Sequence, residues 1–357
     1  MTHDAGSLAQ IMSFLVAIMV LAKACADEGL FESLGRRVDL LSQGSSRRLL
    51  ALSVAFAAIV TAVLSLDATV VLLTPVLIAA SAAHPYRSHA YASVRLSNSA
   101  STLLPVSNLT NLLAFTGTGL TFVGFTQAML PVWLFAIAAE YVALKWWFRD
   151  ELRQTYEAPA TPLTAVPLFP LAVVIVVLLG MAGGTTPAIP AAAGAILLGV
   201  YALIRGNTTW QDLLAAANLP FTAFVFVWAL AVSYLGSTFV GEWFDDFLPA
   251  GRGFWSLIAI ALLAMVAANL FNNLPATLLL LPAATAVGPV AVLALLIGVN
   301  VGANLTIIGS LANLLWRQSG GRELSSLRGF HALGFATTPI IVVLCTVVLW
   351  GWTSLIW

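Results

Sequence analysis

The chain has 357 residues, of which 60% are apolar and 8% charged, and its 15 basic side chains balance 15 acidic ones. A soluble domain carries about 25% charged residues, so most of this surface must face something other than water. The mean hydropathy of +0.97 indicates an integral membrane protein, which excludes soluble enzymes and nucleic-acid-binding proteins. The apolar stretches have the length of helices, which also excludes an outer-membrane barrel.

The chain divides into hydrophobic segments, and about 20 apolar residues suffice to cross a bilayer. The first segment resembles a signal peptide in length, but no Lys or Arg precedes its apolar run, so we expect a transmembrane helix instead. The segments cover residues 8–29, 49–66, 67–83, 96–117, 121–148, 167–183, 188–204, 219–238, 254–271, 274–288, 291–316 and 329–354.

Basic residues predict the orientation in the membrane. Four arginines follow the first segment within residues 36–48, which places that loop in the cytoplasm and the N-terminus outside. Of the 15 basic residues, all but Lys23 and Arg252 are then assigned to the cytoplasm, and Arg95 is assigned to a cytoplasmic loop. The same rule predicts that the C-terminus lies outside, in a multi-pass protein of the inner (plasma) membrane.

Two segments are predicted to be re-entrant hairpins. Residues 49–83 begin and end at basic loops, and the turn at 65–68 is too short to reach the far surface. Residues 254–288 follow an acidic segment assigned to the exterior, so this hairpin is expected to enter from outside. Irregular backbone at membrane depth is tolerated only where protein buries it or where it lines a cavity.

The two halves of the chain share a sequence pattern. Residues 64–75 read LSLDATVVLLTP and residues 271–282 read FNNLPATLLLLP. Residues 98–113, NSASTLLPVSNLTNLL, align with residues 300–315, NVGANLTIIGSLANLL, at an offset of 202. Because the two copies enter from opposite sides, they predict an inverted-topology repeat, which in secondary transporters places the substrate and coupling ion near the midplane.

The predicted fold is an all-α polytopic membrane protein with two inverted-topology repeats. Each repeat contains a re-entrant helical hairpin and a discontinuous transmembrane helix. The parts are a first repeat at 1–148 with its broken helix at 96–117, a cytoplasmic linker at 149–166, a helix pair at 167–204, and a second repeat at 205–357 with its broken helix at 291–316.

Asp67 at the tip of the first hairpin is the candidate for proton coupling. A carboxylate in the membrane core costs several kcal/mol unless it is neutralised or solvated. A carboxyl group that binds and releases a proton at this depth can therefore act as a proton carrier. The alternative is an Asp that caps the helix arm beginning at Thr69, and the two roles are compatible. The other charges within apolar segments, Lys23 and Glu140, lie near helix ends, where snorkelling or a structural ion pair is expected.

Neutral polar residues at the tips and breaks are the candidates for substrate binding. Half-helix ends there expose amides and carbonyls, although turn chemistry or hydrogen bonding to the residues' own helix would also explain these side chains. The set offers no arginine, and no metal-ligand cluster or cofactor motif accompanies it. The candidates are Ser65, Thr69, Thr102, Ser107, Asn108, Asn272, Asn273, Asn304, Thr306, Gly309 and Ser310.

Several of these segments resemble one transporter family. FNNLPATLLLLP and GANLTIIGSLANLLWRQ in the second half, with LDATVVLLTPVL and LPVSNLTNLLAF in the first, are similar to the ArsB-type arsenical pump membrane proteins of the ion transporter superfamily. The resemblance implies export of arsenite or antimonite against proton entry, in some members with a cytoplasmic ATPase subunit. The family usually has Asn-Asp-Gly where this chain has Leu66-Asp67-Ala68, and it carries two further N-terminal helices that this chain is expected to lack.

The sequence therefore favours a secondary transporter, not an enzyme, whose partners are arsenite or antimonite, protons and the lipid bilayer. Arsenite near neutral pH is mostly an uncharged trihydroxide, which suits a site of amides and hydroxyls. Two alternatives stay open: a sodium/proton antiporter or sodium-coupled anion transporter of the same superfamily, and an inactive truncated membrane scaffold.

Overall fold

The computed structural model describes residues 5–66, 69–74, 76–77, 87–155, 164–236, 248–249, 251, 253–318 and 326–357. Within these ranges the chain is helical apart from connecting segments, and its only β-type contact is an isolated antiparallel bridge between Ser45 and Thr155. This confirms the predicted all-α class.

The first half contains the helices that precede the linker. A π-helical turn at Thr69–Leu73 follows α3, and a 3₁₀ turn at Ala100–Thr102 follows α4. The helices are α1 (Ala5–Asp27), α2 (Leu30–Ser42), α3 (Ser46–Leu64), α4 (Arg87–Ser99), α5 (Leu109–Thr118) and α6 (Phe122–Trp147).

The second half contains the helices from residue 168 onward. Its 3₁₀ turn at Val301–Leu305 follows α13. The helices are α7 (Leu168–Ala182), α8 (Ala188–Arg205), α9 (Trp210–Ala216), α10 (Leu219–Gly236), α11 (Phe254–Phe271), α12 (Asn273–Val287), α13 (Pro289–Asn300), α14 (Leu311–Trp316) and α15 (Leu327–Ile356).

Six of the described helices are long and apolar enough to cross a membrane: α1, α3, α6, α8, α11 and α15. Their boundaries lie within a few residues of the predicted segments, and together they confirm a multi-pass membrane protein. The re-entrant path of the hairpins and the side on which each terminus lies stay predictions.

Two helices form the centre of the protein. In α13 every residue from Ala291 to Asn300 is buried, and in α4 every residue from Ser88 to Ser99 is buried. α4 packs against α3 and α6, while α13 packs against α11, α12 and α15. The 3₁₀ turns that end these two helices are buried as well, so the two interruptions lie inside the protein rather than at its surface.

The prediction for Arg95 was wrong. It is not in a cytoplasmic loop but within α4, where its side chain is only 1% exposed. The segment before residue 96 has low hydropathy because it contains Arg87, His89 and Arg95 together with serines. Its small Ser and Ala side chains allow close packing on all sides of the helix. Hydropathy therefore placed the beginning of this helix too late.

A close backbone contact holds α15 against the second break. A Cβ added to Gly334 would lie 2.3 Å from the carbonyl oxygen of Leu305 and 2.7 Å from that of Asn304. These are backbone atoms of a buried turn, so they cannot move aside as a flexible side chain could.

We predict that Gly334→Ala lowers the thermal midpoint of the detergent-purified protein. The added methyl group must separate α15 from the 3₁₀ turn, and overpacking of this kind costs about 1–3 kcal/mol. Gly351→Ala in the same helix is the matched control, because nothing lies within 4 Å of a Cβ there. Equal thermal midpoints for the Gly334 and Gly351 variants would contradict the close contact between α15 and the second break.

Candidate functional site

The two interrupted helices have matching breaks. Asn108 is the N-cap of α5, with extended backbone at φ −153° and ψ 146°, and its side chain accepts a hydrogen bond from the Thr110 amide. Ser310 is the N-cap of α14, with φ −146° and ψ 157°, and its side chain accepts from the Asn313 amide. Each break thus ends at a side-chain cap that starts the second arm of the helix.

An asparagine holds each break closed in the same way. The Asn111 side chain donates to the carbonyls of Ser101 at 2.7 Å and Leu104 at 3.0 Å. The Asn313 side chain donates to the carbonyls of residues 303 and 306, both at 2.9 Å. The carbonyls of residues 104 and 306 also accept from the backbone amides of Ser107 and Gly309. The acceptors correspond at the same offset of 202 as the two asparagines.

Two further asparagines join the halves to each other. Asn98 donates to the Asn313 side-chain oxygen at 2.7 Å, and Asn300 donates to the Asn111 side-chain oxygen at 2.7 Å. Asn98 corresponds to Asn300 at the offset of 202, so these are the same interaction made twice, once in each direction. All four side chains are buried.

The hairpins contact the breaks through their backbones. Ser65, which follows α3, has φ 92°, and Asn272, which follows α11, has φ 79°, so both turns use a residue other than glycine at a positive φ. The next amide in each half donates to the break of the same half: Leu66 N to Ser107 O at 3.2 Å, and Asn273 N to Gly309 O at 3.0 Å.

A cavity of about 370 Å³ lies where these parts meet. The second hairpin tip contributes Asn272 and Asn273, the first break contributes Asn108 and Thr110, and Phe224 of α10 adds an aromatic face. Leu66, the last described residue before the first tip, also lines it. Among the lining residues that the structure describes, none is charged.

The amide of Asn273 is open toward this cavity. Its residue is 5% exposed, and within the described ranges its carboxamide forms no hydrogen bond to protein. Asn272 uses one amide hydrogen to donate to the Ile308 carbonyl at 3.1 Å. The side chains of Asn108 and Thr110 instead bind Asn300, at 2.8 Å each. The second tip is therefore the part of the cavity wall with spare hydrogen-bonding capacity.

Of the predicted substrate-binding residues, the structure brings Asn108, Asn272 and Asn273 to the cavity. Gly309 lies under the second tip, where an added Cβ would meet the Ala303 carbonyl oxygen at 2.3 Å, so the break requires glycine there. Asp67 lies outside the described residues. Whether any of these residues binds substrate stays a prediction.

The remaining candidates form internal hydrogen bonds that stabilise the turns and breaks. Thr69 contacts the Thr61 hydroxyl at 2.8 Å, Thr102 donates to the Ser99 carbonyl at 3.0 Å, Ser107 donates to the Ala62 carbonyl at 2.6 Å, Thr306 donates to the Asn269 side chain at 2.8 Å, Ser310 caps α14, Asn304 binds Glu140 at 3.1 Å, and Ser65 accepts from Thr69 through its carbonyl.

Sequence reasoning missed Asn269. Its side chain donates to the Gly302 carbonyl at 2.8 Å and accepts from the amide of Thr306 at 2.9 Å. It thus connects α11 to both ends of the second break. The available signal was an amide inside an apolar run, three residues before the asparagine pair at the tip.

The centre of the protein also contains charge, although no charged residue is among the described residues that line the cavity. Arg95 and Glu140 form an ion pair with 2.5 Å between Nε and Oε2, and both side chains are at most 1% exposed. This confirms the structural-pair interpretation of Glu140. Lys23 pairs with Asp27 in the same helix, as expected for a charge near a helix end.

We predict that Asn111→Ala and Asn313→Ala lower the thermal midpoint by similar amounts. Each substitution removes two hydrogen bonds to carbonyls of its own break and one to an asparagine of the other half, at about 0.5–1.5 kcal/mol for each bond. Asn207→Ala is the control, because that amide lies at an exposed position on the loop after α8. A large loss in one half only would show that the two breaks are not energetically equivalent.

Comparison with known proteins places these features in a family. The family model described as citrate transporter, CitMHS, matches residues 5–296. Similar relatives are arsenical pump membrane proteins. One from Escherichia coli is 29% identical over 329 residues, one from E. coli strain K12 is 28% identical over 327, and one from Yersinia enterocolitica is 27% identical over 327; each alignment covers 84% of this chain and 76% of the relative. The chain is therefore a membrane transporter rather than an enzyme, and it belongs to the citrate transporter (CitMHS) family.

Proposed function

We propose that this protein exports arsenite or antimonite across the inner membrane in exchange for protons. The relatives described above are named arsenical pump membrane proteins, and they align with 84% of this chain. The cavity between the second hairpin tip and the first break is the proposed substrate site.

The unengaged carboxamide of Asn273 is the observation that carries this proposal. A buried amide in an apolar protein normally finds a partner, because leaving it unpaired costs about 1–3 kcal/mol. Here it faces a cavity, where a ligand with hydroxyl groups can both donate to its oxygen and accept from its nitrogen. The free oxygen of Asn272 adds a second acceptor at the same wall.

The character of the cavity suits an uncharged oxyacid. Arsenite near neutral pH is mostly a neutral trihydroxide, so it needs hydrogen-bonding groups rather than a counter-charge. The described lining residues supply three asparagine amides and the hydroxyl of Thr110, and the N-termini of α5 and α12 add backbone amides that favour oxygen ligands. Cys25 and Cys345 are buried elsewhere, on α1 and α15, so the proposed site does not use thiols.

Asp67 is the proposed proton carrier. It follows Leu66, which lines the cavity, by one position in the sequence. A carboxylate there would exchange a proton for the substrate: it is protonated from one side of the membrane and releases the proton on the other. A cytoplasmic ATPase subunit remains a proposal based on the resemblance alone.

Anion transport is the second candidate. The family model carries the description citrate transporter, and helix N-termini that border the cavity can bind anionic oxygens. A multiply charged anion would need more positive charge than these amides supply, and the nearby Arg95 is already paired with Glu140. We therefore favour the neutral substrate.

The test is arsenite uptake into everted membrane vesicles, with and without a proton gradient. We expect the gradient to drive uptake and its collapse to abolish uptake. Citrate uptake that depends on sodium, with no arsenite uptake, would replace this proposal with the anion alternative. The absence of both fluxes in a correctly inserted protein would support the inactive scaffold.

The Asp67→Asn variant tests the coupling step in the same vesicles. We expect proton-driven arsenite uptake to be lost, because the amide cannot carry the proton. Asp150→Asn is the control, since that carboxylate is 79% exposed near the end of α6. Wild-type uptake in the Asp67 variant would remove this residue from the mechanism and leave the substrate assignment intact.

A further inference from the structure

The buried ion pair of Arg95 and Glu140 also forms hydrogen bonds to side chains of α4, α15 and the second break. Glu140 Oε1 accepts hydrogen bonds from Ser99 at 2.7 Å and Asn304 at 3.1 Å, in addition to Arg95 Nη2 at 3.2 Å. The guanidinium also donates to Thr337 of α15 at 3.0 Å. The pair therefore joins α4, α6, α15 and the second break at one point.

The packing of this region does not by itself call for charges. At the offset of 202, Arg95 corresponds to Ile297 and Ser99 to Val301, both fully buried and apolar. Replacing a buried ion pair with apolar side chains of similar size is often neutral or stabilising, because desolvation offsets the attraction. Because Ile297 and Val301 fill the corresponding positions of the second half without charge, packing alone does not explain the pair.

The carboxylate contributes to the direction in which the Asn304 amide faces. Because carboxylate and carbonyl oxygens only accept, Glu140 at 3.1 Å and the Arg95 carbonyl at 3.0 Å both hold the NH₂ group of Asn304 toward themselves. The Asn304 oxygen then faces Asn98, whose NH₂ group donates to it at 2.9 Å. Asn98 also donates to Asn313, so the orientation of one amide is transmitted to the next.

From Asn313 the path continues to the cavity. Asn313 fixes the turn through the carbonyls of Ala303 and Thr306, and the same turn presents the carbonyls of Ile308 and Gly309 to the second tip. Those two carbonyls accept from the side chain of Asn272 and the backbone of residue 273. The ion pair and the cavity wall are thus connected by hydrogen bonds and by the backbone of this turn.

We propose that Arg95 and Glu140 are positioning residues for transport, which hold the Asn272–Asn273 tip in its substrate-binding geometry through Asn304, Asn98 and Asn313. For the identity of the substrate this inference rests on the proposed function. Neither charged residue lines the cavity, so their effect passes through the amides.

The main test replaces both charges at once, with Arg95→Met and Glu140→Leu, so that neither is left unpaired. We expect the KM for arsenite to rise by about 2- to 30-fold, the range that corresponds to 0.5–2 kcal/mol of coupling through a network. Arg95→Lys keeps the counter-charge and should retain a KM close to that of the wild type. The matched control is Glu32→Leu with Arg36→Met, an ion pair on α2 with 2.6 Å between its charged atoms.

A measurement without ligand separates this inference from the proposed function. Amide hydrogen exchange of residues 272–276 and 303–313 should be faster in the double variant than in the wild type and the control. If the wild type carries no arsenite, the proposed substrate is wrong, and the exchange data still decide the positioning role.

The inference would be overturned if the double variant had the same KM for arsenite and the same amide hydrogen exchange rates as the wild type. If the double variant is not recovered from the membrane, Asn304→Ala makes the same test, because it cuts the path and keeps both charges. Its KM must rise within the same range, and an unchanged KM would overturn the inference equally.

Discussion

Asparagine side chains take the place of water at the two breaks in this protein. A helix interrupted at membrane depth exposes carbonyls and amides that have no solvent to bind, and each unsatisfied group would cost several kcal/mol. Asn111 and Asn313 each satisfy two of these carbonyls, and Asn98 and Asn300 connect each of them to the opposite half. The breaks, the docked hairpin tips and the cavity all depend on these amides.

The sequence revealed the elements more fully than it revealed their contacts. Hydropathy located the membrane-crossing helices, and the repeated motif with Asn98 and Asn300 located the breaks. Both signals can be detected in short stretches of sequence. The burial of Arg95 could not be predicted, since a charged residue in a Ser- and Ala-rich segment has the composition of a loop. Its partner Glu140 is 45 residues away in sequence, and only the packing of α4 on α6 brings the two together.

The candidate site was predicted in outline but not in its division of roles. Polar residues at the tips and breaks all looked equally available to a substrate. In the structure most of them bind nearby backbone, as Thr102 and Ser107 do, because a carbonyl freed by the break lies within their reach. Asn273 differs because the turn at the preceding residue points it toward the cavity. That distinction depends on the fold, so sequence pattern alone could not make it.

The central claim is that the second tip binds a neutral oxyacid through the Asn273 carboxamide. Isothermal titration of arsenite into the detergent-purified protein, compared with Asn273→Leu, tests this claim without requiring transport. We expect saturable binding to the wild type, loss of that binding in the variant and no competition by citrate. Equal affinity in the two proteins, or displacement of arsenite by citrate, would contradict the account.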